Sequence, residues 1–165
     1  MKYQEKKYLV DTLTEIQSAL VSRHAQKEPE IVSTHYYAQH DGNDVVKLVS
    51  FRDKNEIHVL SESQGKYTLN ARIPVSDIDA GLSWLKHKGY ATVNIVTMSQ
   101  TDYQYKNGIV GLYVIDGNLC SVILDFPAGK HEEIAAEFGL DPARTIAIPY
   151  NKLLESMGKL RSKTL

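Results

Sequence analysis

Along Tyr3 to Val10, Tyr8 and Val10 alternate with charged or polar residues, the period of a strand. Asp11-Thr12 predicts a helix start, with Thr12 and Glu15 in capping-box spacing and Leu13, Ile16 and Leu20 recurring on one face. The pattern fades near His24, and Glu28-Pro29-Glu30 breaks it. Ile31 to Tyr37 is rich in β-branched and aromatic residues and reads as a second strand. Asp41 to Asp44 is a turn cluster, Val45 to Phe51 a strand, and Lys54-Asn55-Glu56 a hairpin loop into Ile57 to Leu60. Gln64-Gly65-Lys66 turns again before Tyr67 to Val75. Short strands at this density predict an antiparallel sheet or barrel.

Ser76 with Asp79 predicts the cap of a second helix, with Ile78, Leu82 and Leu85 as its buried stripe and Gly89 as its stop. Strands resume from Ala91 to Phe126, where Asn107-Gly108 and Asp116-Gly117 are hairpin signals. His131 to Phe138 reads as a short helix stopped by Gly139, and Pro149 to Leu160 as the last helix, with Pro149 in its first turn. The fold class is therefore α+β with a dominant antiparallel sheet. Without a linker or low-complexity segment, residues 1–165 are expected to form a single domain.

Composition narrows the function classes. The chain has 165 residues, 42% of them hydrophobic and 24% charged, as soluble globular domains do. Lys and Arg (19) nearly balance Asp and Glu (20), for a net charge of -1. No nucleic-acid partner is expected from that balance, because polyanion binders carry a basic excess. The longest strongly apolar run, Ile109 to Ile115, falls far short of the roughly 20 residues that span a bilayer. No signal-peptide stretch follows the N-terminal residues, and no membrane partner is expected. Cys120 is alone, which excludes a disulfide framework. A cytoplasmic protein is the expectation, with a homodimer left open.

Common chemical motifs are missing: there is no Gly-rich phosphate loop, zinc spacing or nucleophile elbow. The six histidines are scattered, and Cys120 in a predicted strand reads as a structural thiol. Of the ten tyrosines, Tyr36, Tyr37, Tyr103, Tyr105 and Tyr113 lie on predicted strands, as amphipathic faces or as rings whose hydroxyls reach a polar cavity.

Several segments resemble the CYTH superfamily, which includes class IV adenylate cyclases, thiamine triphosphatases and inorganic triphosphatases. Glu5-Lys6-Lys7-Tyr8-Leu9-Val10 is similar to the close of its Glu-x-Glu-x-Lys strand, and Ser50-Phe51-Arg52 to the Leu-Arg step after the first hairpin. Asp77 to Tyr90, ending Lys88-Gly89-Tyr90, resembles the central helix. Phe138-Gly139-Leu140 and Pro149-Tyr150-Asn151-Lys152-Leu153-Leu154 resemble the Leu-Gly-Leu and Ser-Tyr-x-x-Leu-Leu ending. The resemblance covers nearly the whole chain. It implies an antiparallel β-barrel, triphosphate-tunnel-like, with flanking helices. It also implies a lining of cations that hold phosphates and acids that hold divalent metal.

Carried over by position, the resemblance implies phosphate contacts for Lys7, Arg52 and His58, and metal contacts for Glu5, Asp116 and Asp125. Asp116 is equally a residue of the Asp-Gly turn. The set is incomplete. Tyr3 replaces the first glutamate, the next lysine falls near Ser63, and the Arg-x-Glu falls near Leu69 and Ala71. Arg72 lies one residue beyond, on the opposite strand face by parity, and the Lys-x-Arg falls on Met98 and Gln100. Each lost charge-assisted bond removes roughly 1.5–3 kcal/mol of phosphate binding. The resemblance therefore implies a small phosphate-containing ligand, with Mg or Mn as cofactor if the protein is a triphosphatase or adenylate cyclase. The alternative is a non-catalytic module for a small ligand or a partner on the same scaffold.

Overall fold

The computed structural model describes residues 2–165. In chain order the elements begin β1 (Tyr3–Val10), α1 (Thr14–Ser22), β2 (Gln26–Lys27), β3 (Ile31–Ala38), β4 (Val45–Phe51) and β5 (Lys54–Ser63). Then follow β6 (Lys66–Val75), α2 (Ile78–His87), β7 (Thr92–Tyr105), β8 (Gly108–Ile115) and β9 (Leu119–Pro127). The chain closes with α3 (His131–Glu137), a short 3-10 turn at Pro142–Arg144, β10 (Thr145–Ile146), α4 (Tyr150–Ser156) and β11 (Arg161–Thr164). Hydrogen-bonded neighbours follow the order β1-β6-β5-β4-β3-β7-β8-β9 and return to β1. That is the strand order of a closed antiparallel barrel, so the α+β, barrel-with-helices expectation holds. Among the described residues no helix is long and apolar enough to cross a membrane.

Four local expectations are corrected. The first helix starts at Thr14, because the Thr12 hydroxyl accepts the Thr14 N–H at 3.3 Å and forms a turn ahead of the helix. Asp77, not Ser76, caps α2, accepting the Ala80 N–H at 2.7 Å. The β4–β5 turn is Arg52-Asp53, with Arg52 at φ 53°, so Lys54 to Glu56 are already strand. The last helix ends at Ser156, and positive-φ Gly158 releases the chain into β11.

The chain divides into two compact units. The first takes the N-terminal stretch to Ile31 with Ser63–Thr68 and Ser99–Ala147. Here Tyr8, Val110, Leu112, Val122, Leu124 and Phe126, alternate residues of β1, β8 and β9, pack against Ile16 and Leu20 of α1 and Ile134 and Ala135 of α3. The second takes Val32–Glu62, Leu69–Met98 and Ile148–Leu165. In it Leu48 and Ile57 lie under Leu82 and Leu85 of α2. In each unit strand parity leaves a second face of the sheet, where the polar residues collect.

Candidate functional site

In the second unit the register of β3, β4 and β5 defines that second face. Tyr37 pairs with Lys47, and Lys47 with His58, so the three stand in one row across three strands. In the next row His35 pairs with Val49, and Val49 with Glu56. The Lys47 ammonium sits 4.9 Å from the Tyr37 ring centroid and donates to its hydroxyl at 3.4 Å. His58 Nε2 lies 2.9 Å from Glu56 Oε2, and since a carboxylate accepts, that nitrogen carries the hydrogen. Burial pushes the His58 imidazole below the usual histidine range. Glu56 opposes the shift through its hydrogen bond, and the charges of Lys47 and Arg72 add to it. His35 is 5% exposed, with Nε2 at 2.8 Å from Ser33 Oγ, its ring stacked on Tyr37 and its Nδ1 without a hydrogen-bond partner. Burial holds it well below the usual range, and Lys47 and His58 push it further.

Arg52 does not join this row. Its place in the turn sets it beside an open cleft of about 530 Å³ with Ser50, Asn55, Asp77, Ile78 and Asp79. Arg72, which strand parity had set aside, bears on His58.

In the first unit Glu5 stands opposite Asp125, and Lys7 opposite Ile123. Ile109, Gly111 and Tyr113 pair with Asp125, Ile123 and Ser121, which puts all of these on the face away from the helices. Lys7 is buried, with its ammonium 4.3 Å from the Tyr67 ring centroid. Asp102 of β7 approaches the same face above Gly111. A Cβ there would come within 2.9 Å of Asp102 Oδ1 and 2.6 Å of the Tyr113 ring, so this close approach requires glycine. Gln100 Nε2 donates to Asp102 Oδ2 at 3.2 Å, while Oδ1 is buried without a partner. Burial raises the Asp102 carboxyl, the charges of Asp125 and Glu28 raise it further, and the Gln100 hydrogen bond opposes them. Burial raises Asp125 too, against the pull of His131.

The three acids assigned to metal do not gather. Asp116 occupies the β8–β9 turn at φ 48°, just past the Ile115–Leu119 pair, which lies six register steps or about 20 Å along the ladder from the Ile109–Asp125 pair. Among the described residues no group of three or more His, Cys, Asp or Glu is arranged to hold a metal ion. Glu5 and Asp125 face each other across β1 and β9, and Asp116 stands apart from them in the turn.

Sequence reasoning missed Lys47, Glu56 and Asp102. The lone charge of Lys47 in an otherwise apolar strand was legible, but its partner depended on the turn. Asp102 gave no signal, since its burial arises only where β7 passes Gly111.

By sequence, no protein-family model and no curated protein matches the chain. Solved structures do. One from Pyrococcus horikoshii superposes with a TM-score of 0.77 at 14% identity, over 90% of this chain and 96% of that one. A putative adenylate cyclase from Vibrio parahaemolyticus gives 0.71 at 13% identity, over 93% and 98%. A putative adenylyl cyclase from Hippeastrum, described as revealing a dominant triphosphatase activity, gives 0.63 at 10% identity, over 96% and 97%. The chain has the α+β antiparallel barrel fold of these structures, two of them putative adenylate cyclases, at low sequence identity.

Proposed function

We propose that the protein binds a small phosphate-containing ligand, with Lys47, His58 and Arg72 of the second unit as its anion contacts. The observation that carries this reading is the cross-strand row Tyr37–Lys47–His58, with the Arg72 charge bearing on the same imidazole. A lysine beside two further cationic or protonatable groups matches a phosphate, which accepts several charge-assisted bonds at once. The Tyr37 ring and hydroxyl hold the ammonium in place. Arg52, at the hairpin turn beside its own cleft, is not part of this row.

A second reading is metal-dependent hydrolysis or cyclisation of a triphosphate with Mg or Mn, favoured by the opposed acids Glu5 and Asp125. It borrows its reaction from the Hippeastrum protein of the same fold. Thermal-shift and calorimetric titration with tripolyphosphate and ATP, each with and without Mg or Mn, separates the two. Metal-independent binding that falls at least tenfold in Lys47→Gln supports the first. Phosphate release or cyclic nucleotide formation above a Glu5→Gln control supports the second. No binding of either probe overturns both.

A further inference from the structure

The cationic row has an unusual composition for an anion site, because two of its nitrogen-bearing side chains, His35 and His58, are imidazoles that burial holds below the usual histidine range. Lys47 is flanked by His58 directly across the ladder and by His35 one row away, and only the lysine is permanently protonated. The groups facing the two imidazoles are Lys47 on β4, Ser33 and Tyr37 on β3, Glu56 on β5 and Arg72 on β6. Two of these are cations and one is an acid, so the local field opposes a further positive charge. A bound anion reverses that field.

We propose that His35 and His58 make this face a proton-coupled anion site: docking of a phosphate group beside Lys47 draws a proton onto the imidazoles, so the ligand binds more tightly as the pH falls from 8 to 6. The inference rests on the phosphate-ligand reading above and adds its regulation.

The geometry supplies the proton acceptors. His58 spends its Nε2–H on Glu56 Oε2 at 2.9 Å, which leaves Nδ1 as the basic nitrogen. His35 uses Nε2 on the Ser33 hydroxyl at 2.8 Å, and its Nδ1 is buried with no partner. Protonation therefore turns His58 Nδ1 from an acceptor into a charged donor, and makes donors of both ring nitrogens of His35. An opposite charge within about 4–6 Å favours the charged form of an ionisable group. The phosphate supplies it and at the same time offsets the repulsion, from Lys47 on both rings and from Arg72 on His58, that adds to the burial keeping them neutral in the free protein. Burial amplifies the effect, because His35 is almost wholly out of water and the His58 side chain is only 15% exposed. One proton taken up per ligand tightens binding by up to about tenfold per pH unit between the free and bound titration ranges.

The test uses the full chain with Cε1-labelled histidine, titrated by NMR with and without tripolyphosphate, together with calorimetric affinities of wild type and His58→Gln at pH 8, 7 and 6. Comparison with the variant cancels the probe's own protonation. Supporting results are movement of the His35 and His58 resonances to the imidazolium position at pH 7 when tripolyphosphate is added, and a wild-type advantage over His58→Gln that grows about tenfold from pH 8 to 6. Tripolyphosphate binding with both rings neutral, or with a constant advantage, overturns the coupling and leaves the phosphate reading standing. No binding of tripolyphosphate across that pH range overturns the phosphate reading and the coupling with it. His35 is a core residue, so His35→Gln is not needed; the direct resonance reports on it in the native protein.

Discussion

Glu5 stands directly opposite Asp125 in the antiparallel pairing of β1 with β9, on the face that α1 and α3 leave uncovered. Like charges directly opposite in a sheet destabilise it by roughly 0.2–1 kcal/mol. Burial adds to the cost of ionising Asp125, whose carboxyl sits above its ordinary range. A carboxyl raised in the folded state costs stability wherever it is ionised, and the cost vanishes as the pH falls below the unfolded value. Asp125→Asn is therefore expected to stabilise the protein by about 0.5–1 kcal/mol at pH 8, a gain that fades toward pH 4. Urea denaturation at the two pH values checks this, and a loss at pH 8 would mean that the carboxylate is held by favourable contacts.

Three histidines are kept neutral by burial in the fold: His35, His58 and His131. His131 is fully buried at the start of α3, and its Nε2 donates to the Gln4 carbonyl at 2.7 Å while Nδ1 has no partner. The sign follows from proton binding: an unfolded histidine titrates near 6.5, whereas these take up protons only below that in the folded chain. Their contribution is complete above about pH 7 and is lost as the pH falls through the unfolded value, at up to 1.4 kcal/mol per pH unit for each group. The melting temperature should fall between pH 7 and 5.5. His131→Gln keeps a donor for the Gln4 carbonyl but cannot titrate, so it should cost about 1–2 kcal/mol at pH 8 and show a shallower acid slope. An unchanged slope would show that His131 is not part of the acid response.

Much of the fold was legible because hydrophobic parity is strong in the long strands: Tyr3–Val10 and Val45–Phe51 appear with the bounds their patterns predict. The short strands β2 and β11 are exposed throughout and carry no apolar alternation. They exist by pairing with β7, which no local pattern announces. The candidate site was lost at one turn. A loop over Lys54–Glu56 would pair Asp53 with Ile57 and so place Arg52 opposite His58. The two-residue turn at Arg52-Asp53 puts Lys47 there and moves Arg52 off the strand. Because side chains alternate, a shift of a few residues in one turn exchanges which charges share a face. Arg72 and Asp102 were obscured for a related reason: their roles depend on neighbours on other strands, Arg72 through His58 and Asp102 above Gly111.

Asn94 is the centre of a buried amide network in the second unit. Asn151 Nδ2 donates to Asn94 Oδ1 at 2.9 Å, and Asn94 Nδ2 donates to Ser162 Oγ at 3.1 Å and Gln39 Oε1 at 3.4 Å. Asn94 and Asn151 are 2% and 5% exposed, so water cannot replace a lost partner. Asn94→Ala leaves the Asn151 amide unpaired on both atoms, since its Oδ1 already lacks a partner. A buried unsatisfied group costs about 1–3 kcal/mol, and a loss of that size is expected in denaturant midpoints. Hydrogen exchange should quicken first at β11, where the Ser162 contact to β7 is released. Uniform quickening instead would place the network in the global core rather than at the C-terminal strand.

Gly81 shows two effects competing at one position of α2. In an exposed helix, alanine is favoured over glycine by about 1 kcal/mol. Here a Cβ would lie 2.5 Å from Leu48 Cδ1 and 2.8 Å from Cδ2. Leu48 has no exposed surface and is enclosed by Ile57, Leu82 and Leu85, so its methyls have no direction in which to yield. Overpacking a filled core costs roughly 1–3 kcal/mol, which exceeds the propensity gain. Gly81→Ala should therefore destabilise the protein by about 1–2 kcal/mol in urea denaturation. Leu48→Val alone should cost about 0.5–1.5 kcal/mol as a shortened core side chain, yet in the Gly81→Ala background it removes one of the clashing groups and the double variant should recover part of the loss. Additive losses would show that α2 moves away from β4 to accept the methyl group, and that the close helix–strand approach does not depend on glycine.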